Sequence, residues 1–320
     1  MIENTHAIQM IGLKKDPNPP LDHQFSFSDL PTIDDVLLSA KGDERFQDIY
    51  NNPKNLHPTE EEMKLIIDSA RKEIYALECA ARNPEIWNID ENTAKSIVLI
   101  VDFSAPGKYR YPRKPDQYEK FLYSWGMDRF RADAVAQAGI LIAGKRTGHD
   151  LSAFGKVKLL SEKNIELANL RPEARKSIEE SGLRFLYLGT PEEGESVRKV
   201  LVHPSSFVPA ENVDIINNPK ITNTLDQVMA MKDYLSQNTT AIKPGDSILF
   251  VCHSPQLMRT LRLIEKQKAT PPGINLIVLP LPIPTLGMKL YPEMEIKGML
   301  GHYMTGVGST APFPYKIIGQ

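Results

Sequence analysis

Three nearly continuous apolar runs constrain this chain more than any other feature: Ser96-Ile-Val-Leu-Ile-Val-Asp102, Ser247-Ile-Leu-Phe-Val-Cys252 and Ile274-Asn-Leu-Ile-Val-Leu279. Runs of this length without polar alternation suit strands covered on both faces. Such strands belong to parallel sheets whose crossover helices supply the cover. Helical patterns lie between them. Thr224–Ser236 sets Leu225, Val228, Met231 and Leu235 on one stripe, and Ser254–Lys266 follows the second run directly. Further strands are expected at Ile140–Gly144, Arg184–Leu188 and Asn212–Ile216. Further helices are expected at Tyr118–Ala138 and Lys156–Gly182, the latter broken at Arg171-Pro172. The alternation predicts an α/β fold, a Rossmann-like three-layer sandwich with a mostly parallel sheet and right-handed crossovers.

Two flanking regions differ from that centre, giving an expected division into 1–95, 96–285 and 286–320. Residues 1–58 are rich in Pro, Asp and Asn and lack sustained periodicity. From Thr59 a helix of about six turns is expected. Thr59 is its N-cap, Glu60, Glu61 and Glu62 suit its positive end, and Met63, Ile66, Ile67, Ala70, Ile74, Leu77 and Cys79 form its apolar stripe. Residues 271–320 hold eight prolines, a density unsuited to regular helices or central strands. They are expected to form a tail packed on the core.

Composition excludes several classes of function. Lys plus Arg total 38 and Asp plus Glu total 40, a formal net charge of −2, so the chain is not a generally basic nucleic-acid binder. With 41% hydrophobic residues it has the apolar surface a folded core needs. Two cysteines build neither a disulfide framework nor a four-thiolate zinc site, and the seven histidines show no metal-binding spacing. The start lacks the charged and apolar regions of a secretory signal, and no apolar run is long enough to span a bilayer. The expectation is a cytoplasmic protein with no metal, membrane or nucleic-acid partner.

In an open parallel sheet, ligands bind beyond the carboxyl ends of the strands, where helix N-termini present free N–H groups. Four loops expected there carry unusual chemistry. Gly144-Lys-Arg-Thr-Gly148-His149-Asp150 joins two permissive glycines to Lys145, Arg146 and His149; the competing reading is a basic surface turn. Thr222, Asn223 and Thr224 precede a helix, and helix capping explains them equally well. In Cys252-His253-Ser254-Pro255, Ser254 is the expected N-cap and Pro255 the first helical residue, with Arg259 and Arg262 nearby. Six residues separate Cys252 from Arg259, one more than a cysteine-phosphatase loop requires, and no glycine intervenes. Asp102 ends the first run and suits a ribose hydroxyl, an amine or a turn cap. Asp128, Arg129 and Arg131 begin a helix that could face the same crevice.

In this order, the loops resemble the YdcF/SanA/ElyC-like family of α/β proteins. Ile140–Ser152 is similar to the family's strand followed by Ser-Gly-Gly and Gly-His-Ser/Thr. Thr222–Gln227 is similar to its Ser-x-Asn-Thr segment, and Ile248–Thr260 to its late strand and Arg-bearing helix. The resemblance covers about 96–285. It places Arg259 at the family arginine and Asn223 or Thr224 at the polar helix cap. The chain departs from the pattern at Ala143, Lys145, Gln227 and Gln256. The resemblance implies a soluble YdcF-type protein with a pocket for a small anionic or nucleotide-like ligand, S-adenosylmethionine being one candidate. Asp102, Gly144, Lys145, Gly148, His149, Thr222, Asn223, Thr224, His253, Ser254 and Arg259 are the expected ligand-binding residues, meeting in one cavity. Two alternatives stand beside this reading. One is a hydrolase or transferase acting on a phosphate- or nucleotide-bearing substrate through Asp102, His149 or His253. The other is an interaction protein using residues 1–95 as its partner surface.

Overall fold

The apolar runs lie side by side in one all-parallel, six-stranded sheet: β1 (Ile97–Phe103), β2 (Arg184–Gly189), β3 (Val213–Asn217), β4 (Ser247–His253), β5 (Asn275–Leu281) and β6 (Lys316–Ile317). The structure is a computed structural model describing residues 25–103, 118–156, 165–189, 206–238, 242–283 and 289–320. Strand order is β3-β2-β1-β4-β5-β6. The register pairs Val101 with Leu186 of β2 and with Phe250 of β4, so β1 and β4 are central. Every β4 residue is buried, as its unbroken apolar pattern predicts.

Helices named in chain order are α1 (Ile33–Lys41), α2 (Glu44–Asn51), α3 (Glu60–Ala81), α4 (Glu91–Ser96), α5 (Tyr118–Thr147), α6 (Ile165–Asn169), α7 (Arg171–Ser181), α8 (Thr224–Gln237), α9 (Ser254–Gln267) and α10 (Leu290–Met304). One sheet face, with Ile100, Phe185, Leu249 and Val251, packs against Val135, Ala138 and Ile142 of α5 and Ile178 of α7. The opposite face, with Leu99, Val101, Leu186 and Phe250, packs against Leu77 of α3, Met231 of α8 and Leu261 of α9. This is the expected α/β sandwich.

The expected strand at Ile140–Gly144 is instead the last third of the 30-residue helix α5. Every residue from Arg131 to Gly144 is buried, so this stretch has no polar face to reveal a 3.6-residue period. Ala132, Ala134, Ala136, Ala138 and Ala143 favour helix and allow close approach to the sheet. The Lys156–Gly182 helix resolves into a 3₁₀ turn at Ser152–Lys156, then α6 and α7; residues 157–164 lie outside the described residues.

The flanks also depart from expectation. Residues 1–58 contain α1 and α2, which begin at side-chain caps from Thr32 and Asp43. The 271–320 region contains α10, with Pro292 in its first turn, where the missing N–H is harmless. A third hydrophobic cluster joins Phe25, Val36 and Phe46 to Ile67 of α3, Met258 of α9, and Ile296 and Met299 of α10. α3 begins as expected: the Thr59 hydroxyl accepts from the Glu62 N–H at 3.2 Å and Glu62 accepts from the Thr59 N–H at 2.7 Å. Its stripe is buried from Met63 to Leu77, whereas Cys79 is exposed.

Candidate functional site

Strand order 3-2-1-4-5-6 places β1 between strands reached in opposite directions. Chain order runs outward from β1 through β2 to β3, then returns to β4 on its other side. Connections after β1 and β4 therefore diverge, opening a crevice at their carboxyl ends. Asp102 lies at that end of β1, and Cys252 and His253 at that end of β4.

α5 descends from this rim and sends Arg131 back toward it, fully buried. The Arg131 Nε atom lies 3.8 Å from Asp102 Oδ1, and its Nη1 donates to Gln256 Oε1 at 2.7 Å. Tyr291 of α10 donates its hydroxyl to the same Gln256 oxygen at 3.2 Å. Arg131 Nη1 is also 4.0 Å from the Cys252 sulfur. Burial pulls the Arg131 pKa down, but Cys252, Asp102, Tyr291 and Tyr187 more than offset that pull. The result is a cation held inside the protein, an arrangement that needs partners to offset desolvation. Burial pushes the Cys252 thiol up to about 12, against the opposing pull of Arg131. A thiol so protonated is not a nucleophile at neutral pH.

α9 starts at this rim. His253 is its N-cap, Ser254 its first residue and Pro255 its second, so the helix starts one residue earlier than the sequence suggests. Ser254 donates its hydroxyl to Leu281 O at 3.2 Å instead of capping. His253 Nδ1 lies 2.9 Å from Pro282 O, so that nitrogen donates. Glu78 of α3, fully buried, accepts from the Ile283 N–H at 2.9 Å and pairs with Arg82 at 2.7 Å. It fixes the chain as it leaves β5.

The other expected ligands divide into two groups. Asn223 caps α8 by accepting from the Asp226 N–H at 3.1 Å, and Thr222 donates its N–H and hydroxyl to Asp226 at 2.8 Å each. Thr224 is buried and accepts from Arg259 Nη2 at 2.8 Å. Arg259 also pairs with Glu295 of α10 at 2.6 Å, so its guanidinium is already engaged by the protein. Thr222, Asn223 and Thr224 follow β3 and Arg259 lies in the helix that follows β4, so all four are on the carboxyl side of the sheet.

Gly144, Lys145, Gly148 and His149 lie at the other rim. The helix that carries them runs back along the sheet, and its end is tied to α4, to the first residue of β1 and to the end of α7, the helix that leads into β2. Arg146 donates to Ala94 O at 2.8 Å, Lys95 O at 3.0 Å, Ser181 O at 3.1 Å, and Ile97 O. His149 Nδ1 is 3.0 Å from the Thr147 hydroxyl and 2.7 Å from that of Ser177 on α7. Gly148 adopts φ +77° where the helix ends, the left-handed conformation glycine tolerates. The expectation of one cavity uniting Gly148, Asn223 and Arg259 is therefore wrong, because the Ile140 segment is helix and delivers its loop to the amino rim. The Ser-Gly-Gly-like part of the resemblance loses its strand for the same reason.

Gln256 is visible in the sequence only as a departure from the family pattern. Tyr291 and Glu295 lie in a region expected to be irregular, and Glu78 in a flanking helix, so nothing in the sequence links them to this rim. The side chains of Asp128 and Arg129, and the connection from 104 to 115, lie outside the described residues. Among the described residues no cluster of side chains suits a metal ion, and no helix is long and apolar enough to cross a membrane. No protein-family model, curated protein or solved structure matches the chain.

Proposed function

We propose that this chain binds a small anionic or nucleotide-like ligand in the crevice between the carboxyl ends of β1 and β4. The observation that carries the reading is the buried Arg131, held at the switch point by Asp102 and Gln256. Packing this space with aliphatic side chains would avoid the cost of burying a cation. Asp102 suits a ribose hydroxyl or an amine, and S-adenosylmethionine carries both. The first βα connection lacks the Gly-x-Gly-x-x-Gly fingerprint, so a dinucleotide pyrophosphate is a poorer fit. Cysteine-based hydrolysis is disfavoured by the protonated Cys252 thiol.

The test is titration calorimetry of the full chain with S-adenosylmethionine and with adenosine 5′-monophosphate, alongside native mass spectrometry for a co-purified small molecule. Saturable binding lost in both Arg131→Met and Gln256→Met is the expected result. Gln256→Met keeps the helix and removes the side-chain amide whose oxygen accepts from Arg131 and Tyr291, so it serves if Arg131→Met fails to fold. Undiminished binding in folded Gln256→Met, or no binding by the wild type, overturns the reading.

A further inference from the structure

The amino rim carries a second feature, independent of the crevice: a cleft of ≈ 620 Å³ between the end of α5, the following 3₁₀ turn and the segment joining α3 to α4. That volume falls within the range of small-molecule sites. Its apolar wall is built from Ile89, Leu141 and Leu151, all buried, together with half-buried Trp87. A Cβ at Gly155 would stand 3.6 Å from the Trp87 Cβ and 3.7 Å from Leu141 Cδ1, in ordinary contact, so a longer side chain there would extend along this wall. Lys145 and Lys156 line the same cleft. Among the described residues neither ammonium makes a hydrogen bond or an ion pair. Two carboxylates also lie on the cleft, but each is tied to its own turn. Asp90 accepts from the Thr93 N–H at 2.9 Å, and Asp150 accepts from the Ser152 N–H at 3.1 Å.

We infer that this cleft is a second binding site, for a planar aromatic group bearing a phosphate or carboxylate. The ring lies against Trp87 and the apolar wall, and the anion is gripped by Lys145 and Lys156. An indole offers a flat face to a base or other aromatic ring. Two ammonium groups that make no hydrogen bond or ion pair among the described residues, though both attract Asp150 and Lys145 also attracts Glu91, supply charge-assisted hydrogen bonds to the tail. Because both lysines are exposed, their attraction weakens as salt rises.

The chain has two tryptophans, Trp87 and Trp125. Trp125→Phe therefore leaves the cleft indole as the single tryptophan reporter, read apart from the tyrosines by excitation at the red edge of indole absorption. Titrating this variant with adenosine 5′-monophosphate and with nicotinate separates a phosphate-bearing from a carboxylate-bearing ligand. Saturable change in Trp87 emission with either probe is expected. Affinity should fall at least about tenfold in Lys145→Gln/Lys156→Gln, and again in Gly155→Leu, which fills the space beside Trp87. Gln256→Met should leave it unchanged, which separates this site from the crevice. No saturable change with either probe, or equal affinity in the double-lysine variant, overturns the inference.

Discussion

Gly139→Ala is the sharpest test of how α5 sits on the sheet. In an open helix this change stabilises by about 1 kcal/mol, because glycine costs that much in helical backbone entropy. Here the new methyl would fall 2.3 Å from Phe185 Cζ and 2.4 Å from Cε1. Carbon atoms pack at about 3.5–4.0 Å, so the ring would have to retreat by more than about 1 Å. Phe185 is only 2% exposed, on a strand paired on both sides, in an interior with little slack. Overpacking of this kind costs roughly 1–3 kcal/mol, and a clash this deep belongs at the upper end. Subtracting the helical gain leaves a net loss of about 1–2 kcal/mol. Urea unfolding followed by far-UV circular dichroism measures it. Repeating the substitution in a Phe185→Leu background, which removes Cε1 and Cζ, should make it neutral or stabilising, a coupling of about 2 kcal/mol. If Gly139→Ala equals or exceeds the wild type in stability, or costs the same in both backgrounds, the close approach of α5 to β2 is wrong.

Two further predictions address the supports of each rim. Burial and the nearby Arg259 hold His302 down at about 4, below its ordinary 6.5, so the folded protein keeps it neutral. The unfolded chain then binds the extra proton first, and stability should drop as pH falls from about 6.5 to 4, by on the order of 3 kcal/mol. His302→Gln should flatten that slope in unfolding curves, and an unchanged slope would show that His302 does not titrate this way. At the amino rim, Arg146→Met removes four donations, to carbonyls of Ala94 and Lys95 in α4, of Ser181 ending α7 and of Ile97 opening β1, and should cost at least about 2 kcal/mol. Arg146→Lys should recover little of this, since a single ammonium cannot span the fork; thermal unfolding of both variants decides it.

The sequence by itself determined five of the six strands, β1 to β5, but not the two-residue β6 or the strand order. β1, β4 and β5 could be read from unbroken apolar runs, since a strand covered on both faces needs no polar residue for several positions. α3 and α8 could be read from a stripe plus a cap, at Thr59 and Asn223, because those signals are local. Asp102, His253 and the Arg131 helix could be placed near the β1–β4 rim by the rule that loops after parallel strands face ligands. The rest was decided by tertiary structure, for one physical reason: a segment buried on every side loses the periodicity that distinguishes helix from strand. Ile140–Gly144 is such a segment, and its conversion to helix carried Gly144, Lys145, Gly148 and His149 to the opposite rim. Long-range pairing decided the remaining roles. Arg146, basic in sequence, is a clamp on backbone carbonyls. Arg259 is matched by Glu295 from a helix its prolines had hidden. Arg131 gains its meaning from Gln256 and Tyr291, 125 and 160 residues further along the chain.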